Sequence, residues 1–196
     1  MEEKRQIQPT TDWVKACRQN DRGAQMMLYK NYSRTMYNTA HRIVNNSAEA
    51  EDIMQEAFIH AFQKIHQLSE DAGFGAWLRR IVVNRSLDAV KKRKTWYLHH
   101  EQYRNQVDDD SSVCDEETDC RMQEIQEGMS RLPDQYRTIL SLHFFEGMDY
   151  EELMQILDLK YNNVKTRIAR AKSRLLEEIM QLREQKNEKE VYHAGH

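Results

Sequence analysis

The sequence predicts an all-α protein of two small helical domains joined by a flexible acidic linker, with a helix-turn-helix in the C-terminal domain. Three observations lead there. Apolar residues recur three and four positions apart through most of the chain, the period of a helix with one buried face. Only 6 Gly and 2 Pro occur in 196 residues, few for a turn-rich β protein. From Val107 to Asp119 the pattern gives way to Asp, Ser and Glu with few core residues, the composition of a linker. With 31% charged and 39% hydrophobic residues, two small bodies with much exposed surface fit better than one large core.

The elements follow in order. Asp12–Gln19 is a short helix carrying Trp13, Val14 and Cys17, broken by Asn20–Gly23. From Ala24 to Val44 the apolar positions are Met27, Leu28, Tyr32, Met36, Tyr37, Ala40, Ile43 and Val44. Asn45-Asn46-Ser47 is a turn that caps the next helix, Ala48 to Leu68. That helix carries an apolar stripe of Ile53, Met54, Ala57, Phe58, Ala61, Phe62 and Ile65, with Asp52, Gln55, Glu56, Ile59 and Gln63 mostly opposite. After the loop Ser69–Gly73, a helix from Phe74 to about Lys94 buries Trp77, Leu78, Ile81, Val82, Leu87 and Val90. Helical pattern resumes near Met122. Pro133 suits the first turn of a helix reaching Phe145, and Gly147 ends it. A short helix, Tyr150–Leu157, a tight turn at Asp158–Tyr161 and a long helix from Asn162 to about Arg183 have helix-turn-helix spacing. The expected boundaries are 12–94 for the first domain, 95–121 for the linker, 122–183 for the second domain and 184–196 for a polar, fraying tail.

Several function classes are excluded. No apolar run approaches a membrane span, and Met1–Thr10 lacks the apolar core of an export signal. Cys17, Cys114 and Cys120 are an odd, sparse set that suits a reducing cytoplasm better than a disulfide framework. There is no Gly-rich phosphate loop and no His-Glu-x-x-His helix. His99, His100, Cys114 and Cys120 fit no common zinc spacing. No catalytic residue, metal site or cofactor is expected.

The net charge is −3, but its distribution is uneven. Residues 160–175 hold Lys160, Lys165, Arg167, Arg170, Lys172 and Arg174 and no acid. Residues 79–94 hold Arg79, Arg80, Arg85 and the run Lys91–Lys94 against Asp88. Between them, residues 107–119 carry seven carboxylates. One basic helix is ordinarily a solvated face; two, one of them inside a helix-turn-helix, are the footprint of a DNA binder with two contact modules. On the last helix, Val164, Ile168, Ala171 and Leu175 share one stripe and must face the core. The opposite face carries Asn162, Thr166, Ala169, Arg170 and Ser173. Lys165 and Lys172 flank one side; Asn163, Arg167 and Arg174 flank the other. Small and hydrogen-bonding side chains thus point toward a major groove, with long cations beside its walls. Arg170 can pair with a guanine edge. Asn162 and Asn163 suit helix capping and base reading equally.

Motifs in both halves resemble one family. Leu132-Pro133-Asp134-Gln135-Tyr136-Arg137, Tyr150-Glu151-Glu152-Leu153 and the run Val164–Lys172 resemble the fourth domain of extracytoplasmic-function sigma factors. Ala50–Phe58 and Phe74-x-x-Trp77-Leu78-x-x-Ile81-x-x-Asn84-x-x-x-Asp88 resemble their second domain. The resemblance spans roughly Asp12 to Glu178. It implies that Asp52, Gln55 and Glu56 dock on the clamp coiled coil of the largest subunit of core RNA polymerase. It further implies that the loop Ser69–Gly73 and the following helix capture a flipped base of the −10 promoter element. There Arg80, Asn84, Arg85, Lys91, Lys92 and Arg93 contact the strand. Phe74 and Trp77 are assigned to the core by their spacing rather than to base stacking. The helix-turn-helix then reads the −35 element of promoter DNA through Asn162, Asn163, Lys165, Thr166, Arg167, Arg170, Lys172 and Arg174. An anti-sigma factor, often membrane-tethered, is the implied regulator. Met154 and Asp158 depart from the family's usual Ala and Gly; Asp tolerates a left-handed backbone better than most residues. The competing reading is a stand-alone helix-turn-helix regulator, which accounts for Pro133–Glu178 but not for the basic helix at 79–94 or the acidic tether.

Overall fold

The computed structural model describes residues 10–69, 73–99 and 117–194. Among them there are eight α-helices and no strand: α1 (Thr10–Arg18), α2 (Arg22–Val44), α3 (Ser47–Gln63), α4 (Phe74–His99), α5 (Glu117–Arg131), α6 (Asp134–Leu140), α7 (Tyr150–Leu157) and α8 (Tyr161–Ala194). A short 3-10 turn, Ile65–Gln67, follows α3, and a π-helical turn, Ser141–Phe145, follows α6.

Local chemistry sets the helix ends. The Asp21 carboxylate accepts hydrogen bonds from the Gly23 and Ala24 amides and starts α2. Asn45 ends it in the left-handed conformation (φ 55°), and Asn46 caps α3 by accepting from the Glu49 amide at 2.8 Å. The turn expected at Asn45–Ser47 is therefore formed by two asparagines with opposite tasks. A capping box joins Asp149 and Glu152 at the start of α7. Asp158 closes α7 with φ 52°, the left-handed backbone that Asp was expected to tolerate. Gly147 has φ +72°, a conformation open to glycine without strain.

Two apolar cores form. The first gathers Leu28, Met36, Ala40, Phe58, Ala61, Ile65, Leu78 and Val82 from α2, α3, α4 and the 3-10 turn, with α1 packed on its edge through Val14 and Cys17. The second gathers Leu132, Ile139, Leu140, Leu142, Leu153, Val164, Ile168 and Ala171 from the α5–α8 half. It also takes in Ile43 of α2 and Val83 and Leu87 of α4, so the two halves share apolar surface. Helix α5 lies along α8. A Cβ at Gly128 would stand 3.0 Å from Ile179 Cγ1 and 3.1 Å from Leu175 Cδ1, so the glycine permits that close approach.

Polar contacts cross the same seam. The Glu146 side chain is 3% exposed. It accepts from Arg42 Nη2 at 2.8 Å and from Thr39 Oγ1 at 3.0 Å, and Arg79 Nε lies 3.3 Å from its second oxygen. Arg42 also stands over the Phe145 ring at 4.9 Å. Asn45 Nδ2 donates to the Ser130 carbonyl at 3.1 Å, and Ser141 Oγ to the Arg42 carbonyl at 3.1 Å. Arg93 reaches Asp134 at 3.1 Å. Arg137, 3% exposed, donates to the Leu132 and Ile43 carbonyls and pairs with Asp134. Burial pushes its guanidinium below the ordinary value, and Asp134 opposes that shift. Removing one member of a buried pair leaves the other charge uncompensated, at about 3–5 kcal/mol.

Several ends differ from expectation. Helix α3 stops at Gln63 rather than Leu68, with the 3-10 turn after it, and α6 gives way at Ser141 to the π-helical turn rather than running as an α-helix to Phe145. Helix α4 continues to His99, past Lys94, and α5 begins at Glu117, before Met122, so both helices enter the expected linker. The stretch 100–116, which holds most of the linker and Cys114, lies outside the described residues. Helix α8 runs to Ala194 rather than ending near Arg183. Residues 184–194 contain neither Gly nor Pro and are rich in Glu, Lys and Gln, which carry the helix onward.

Cys17 is 2% exposed, and burial together with the Asp21 charge pushes its thiol up to about 11. Since the thiolate is the reactive form, Cys17 should resist iodoacetamide at pH 8 in the folded protein and react once urea is added. Mass spectrometry of the alkylated chain checks this. Because the folded-state value is the raised one, this residue's contribution to stability is intact below about pH 9 and lost as pH rises toward 11.

Candidate nucleic-acid interface

On α8 the core stripe is as the periodicity requires. Val164, Ile168 and Ala171 are buried and Leu175 is half-buried. Asn162, Asn163, Lys165, Thr166, Ala169, Arg170, Lys172, Ser173 and Arg174 are exposed, and Arg167 is half-buried. The helix begins at Tyr161, so both asparagines sit inside its first turn, and the Asn163 and Val164 amides donate to the Lys160 carbonyl. That removes the N-cap role for Asn162 and Asn163 and leaves their side chains outward. No acid occurs in this first turn, and the unpaired amides of a helix start favour negative charge.

The cations of α8 are not equivalent. Lys172 Nζ lies 4.9 Å from the centroid of the exposed Phe144 ring. Arg174 is held by Glu177 at 2.9 Å and Glu178 at 3.1 Å along its own helix. Arg170 lines a shallow concavity of about 370 Å³ with Tyr136, Ser173, Arg174 and Glu177. Met154, the departure in α7, is half-buried at the rim of the core, where a longer side chain than Ala finds room.

On α4, Arg80, Asn84, Lys91 and Lys92 are exposed. Arg85 pairs with Glu56 of α3. Arg93 is half-buried, donating to the Val44 carbonyl at 3.0 Å and to Asp134, with Glu49 at 3.5 Å. Phe74 is buried against Tyr32 and Trp77, with ring centroids 5.5 and 6.1 Å away, a core role as expected. Of the loop Ser69–Gly73, residues 70–72 lie outside the described residues.

On α3, Asp52, Gln55 and Glu56 are exposed on one face, and Gln55 donates to Glu51 at 3.1 Å. Asp52 and Glu56 line an open groove of about 590 Å³ together with Glu49, Arg85, Asp88 and Lys92. The structure thus brings side chains assigned to docking and side chains assigned to DNA onto the two walls of one groove. Sequence reasoning missed this, since Glu56 and Arg85 sit on different helices. It also missed the inward turn of Arg79, counted among the basic residues of α4 but directed at Glu146.

Residues 28–95 match the family model for Sigma-70 region 2, and residues 122–175 that for Sigma-70, region 4. The chain is 31% identical to the ECF RNA polymerase sigma factor SigW of Bacillus subtilis over 179 residues, covering 86% of this chain and 96% of that one. It is 26% identical to the RNA polymerase sigma-H factor of Pseudomonas aeruginosa, covering 81% and 88%. The fold is similar to the sigma factor RpoE solved with the anti-sigma factor NepR from Bartonella quintana, with a TM-score of 0.54 at 19% identity, covering 79% of this chain and 96% of that one. It is also similar to CnrH solved with the cytosolic domain of CnrY, with a TM-score of 0.52 at 19% identity, covering 85% and 94%.

Both partners of the Arg85–Glu56 pair are partly or largely exposed, at 34% and 63%. Such a pair contributes little in water. Glu56→Ala, Arg85→Ala and the double variant should each stay within about 1 kcal/mol of the parent in urea unfolding, with a coupling of similar or smaller size.

Proposed function

This chain belongs to the extracytoplasmic-function group of the sigma-70 family, and on that premise we propose how its two halves divide the work. It binds core RNA polymerase and directs initiation at particular promoters. The observation that carries this is the occurrence of region 2 and region 4 matches in one chain, in that order, each with its own basic helix. A stand-alone regulator needs only the second half, and the region 2 match leaves it without support.

The residue roles are our reading. Residues 12–94 form the docking and −10 unit, and residues 122–183 the −35 unit, joined by the acidic stretch 95–121. Asp52, Gln55 and Glu56 present a polar, net acidic face to a basic coiled coil of the polymerase clamp, a pairing that favours orientation and rate of encounter. Arg80, Asn84, Lys91 and Lys92 lie along the −10 strand, joined by Arg85 and Arg93 once their acidic partners are exchanged for phosphate. Asn162, Asn163, Thr166 and Arg170 face the bases of the −35 element. Lys165, Arg167, Lys172 and Arg174 approach its backbone. An anti-sigma factor, membrane-tethered where the signal originates outside, fits the likeness to sigma factors solved with such partners. The place of action is the cytoplasm. No helix among the described residues is long and apolar enough to cross a membrane.

Run-off transcription with purified bacterial core polymerase across a promoter pool tests the function. Transcripts that require this protein are the expected result. Their absence, with tight duplex binding by the protein alone, would return the regulator reading. Within the same assay Arg170→Ala should relax −35 preference, at a cost of about 1–3 kcal/mol. Lys165→Ala should weaken polymerase–promoter binding on all sequences alike and lower the salt slope by about one phosphate contact. Arg174→Ala should lower it less, its guanidinium being engaged by Glu177 and Glu178.

A further inference from the structure

Four aromatic rings form a row beside α8. Tyr161, the first residue of that helix, lies against Tyr150 of α7 with ring centroids 5.7 Å apart. Tyr150 lies 5.5 Å from His143, and His143 lies 4.7 Å from Phe144, both in the π-helical turn. Phe144 carries Lys172 Nζ over its ring, 4.9 Å from the centroid. The row therefore leaves α8 at Tyr161 and returns to it at Lys172, about 16 Å further along the axis at about 1.5 Å per residue. Its middle is fixed and its ends are open. His143 Nδ1 donates to the Met148 carbonyl at 2.8 Å, and Tyr150 is half-buried against the second core. Phe144 and Tyr161 are each at least half exposed. The Tyr161 hydroxyl has no hydrogen-bond partner among the described residues. A stiff side chain with two torsions, braced by a neighbouring ring, holds that hydroxyl toward water at little further cost in entropy.

What the hydroxyl meets follows from its place on the helix. At about 100° per residue, Tyr161, Lys165 and Lys172 fall within about 40° of one another. They form a flank between the core stripe and the outward face of Asn162, Thr166, Ala169 and Ser173. The outward face of a helix in a major groove meets base edges, whereas its flank meets a wall, where phosphates and sugars stand. Charge selects a nucleic acid over a protein as the partner of this flank. Residues 160–175 hold six cations and no acid, and one face of Phe144 is already covered by an ammonium.

We propose that Tyr161 is a backbone contact of the −35 duplex. Its hydroxyl donates a hydrogen bond to a phosphate oxygen on the strand that Lys165 and Lys172 also approach. Phe144, at the other end of the row, is a positioning residue that acts through Lys172. The row thus fixes both ends of a three-point grip on one groove wall, and sets the register of α8 without reading sequence. This rests on the sigma-factor reading, and the test separates the two.

A promoter recovered by run-off from the pool supplies the duplex. If none is recovered, the sigma-factor reading falls before any variant is made, and the same variants are read on duplex bound by the protein alone. No duplex binding in either setting overturns both. Tyr161→Phe, which keeps the ring, should weaken binding of the polymerase complex to the promoter about tenfold, alike on −35 sequences of different base composition. A neutral donor releases no counter-ion, so its salt slope should match the parent's, unlike that of Lys165→Ala. The deciding measurement replaces single phosphates of the −35 element by methylphosphonate. At one phosphate the difference between parent and Tyr161→Phe should vanish, and at the others it should persist. Phe144→Ala should weaken binding in the parent and change nothing in a chain that already carries Lys172→Ala. A Tyr161→Phe protein that binds as the parent does, or whose deficit is the same on every methylphosphonate duplex, overturns the proposal. So does a loss of affinity for core polymerase in place of promoter, which would assign the row to a protein partner.

Discussion

Glu146 lies almost wholly out of water, and a carboxylate so placed must be neutralised where it lies. Its partners, Arg42 and Arg79, come from α2 and α4, more than sixty residues earlier in the chain. The mutual position of the halves depends on this requirement. The aliphatic contacts of Ile43, Val83 and Leu87 supply non-directional attraction across the same surface. The charges supply register, because a slip of one helical turn would leave Glu146 buried and unpaired. The Asn45–Ser130 and Arg137–Ile43 contacts extend that register along α2.

Much of the fold was legible in the sequence because it follows from one-dimensional periodicity. The α3 stripe of Ile53, Met54, Ala57, Phe58 and Ala61 and the α8 stripe of Val164, Ile168 and Ala171 are buried as their spacing demanded. Asn45 to Ser47 and Asp158 announced their turns by residue type. What the sequence did not disclose has no period. Ile43 and Leu87 could be assigned to a core, but not to which one. Arg79 and Arg93 were indistinguishable from other cations of a basic helix until Glu146 and Asp134 stood opposite them. The π-helical turn leaves no compositional mark in Ser141–Phe145.

The candidate interface shows the same division. Exposure of the outward α8 residues could be derived from geometry, whereas the engagement of Arg174 by two glutamates and of Lys172 by an aromatic ring could not. These contacts grade a set of cations that looks uniform in sequence. Arg170 and Lys165 face water, while Arg174 must leave Glu177 and Glu178 to reach a phosphate. The groove between α3 and α4 shows a related economy. Its carboxylates and guanidiniums are each other's counter-ions, and pairs so exposed hold each other only weakly.

Helix α8 is 34 residues long, a rod of about 50 Å at about 1.5 Å per residue. Its outward-facing first turns lie at one end, while α5 grips it further along, through Gly128 against Leu175 and Ile179 and through Arg183 on Glu124. A rigid body held away from its tip behaves as a lever, and a small swing at the grip becomes a displacement of several ångströms at those outward-facing first turns.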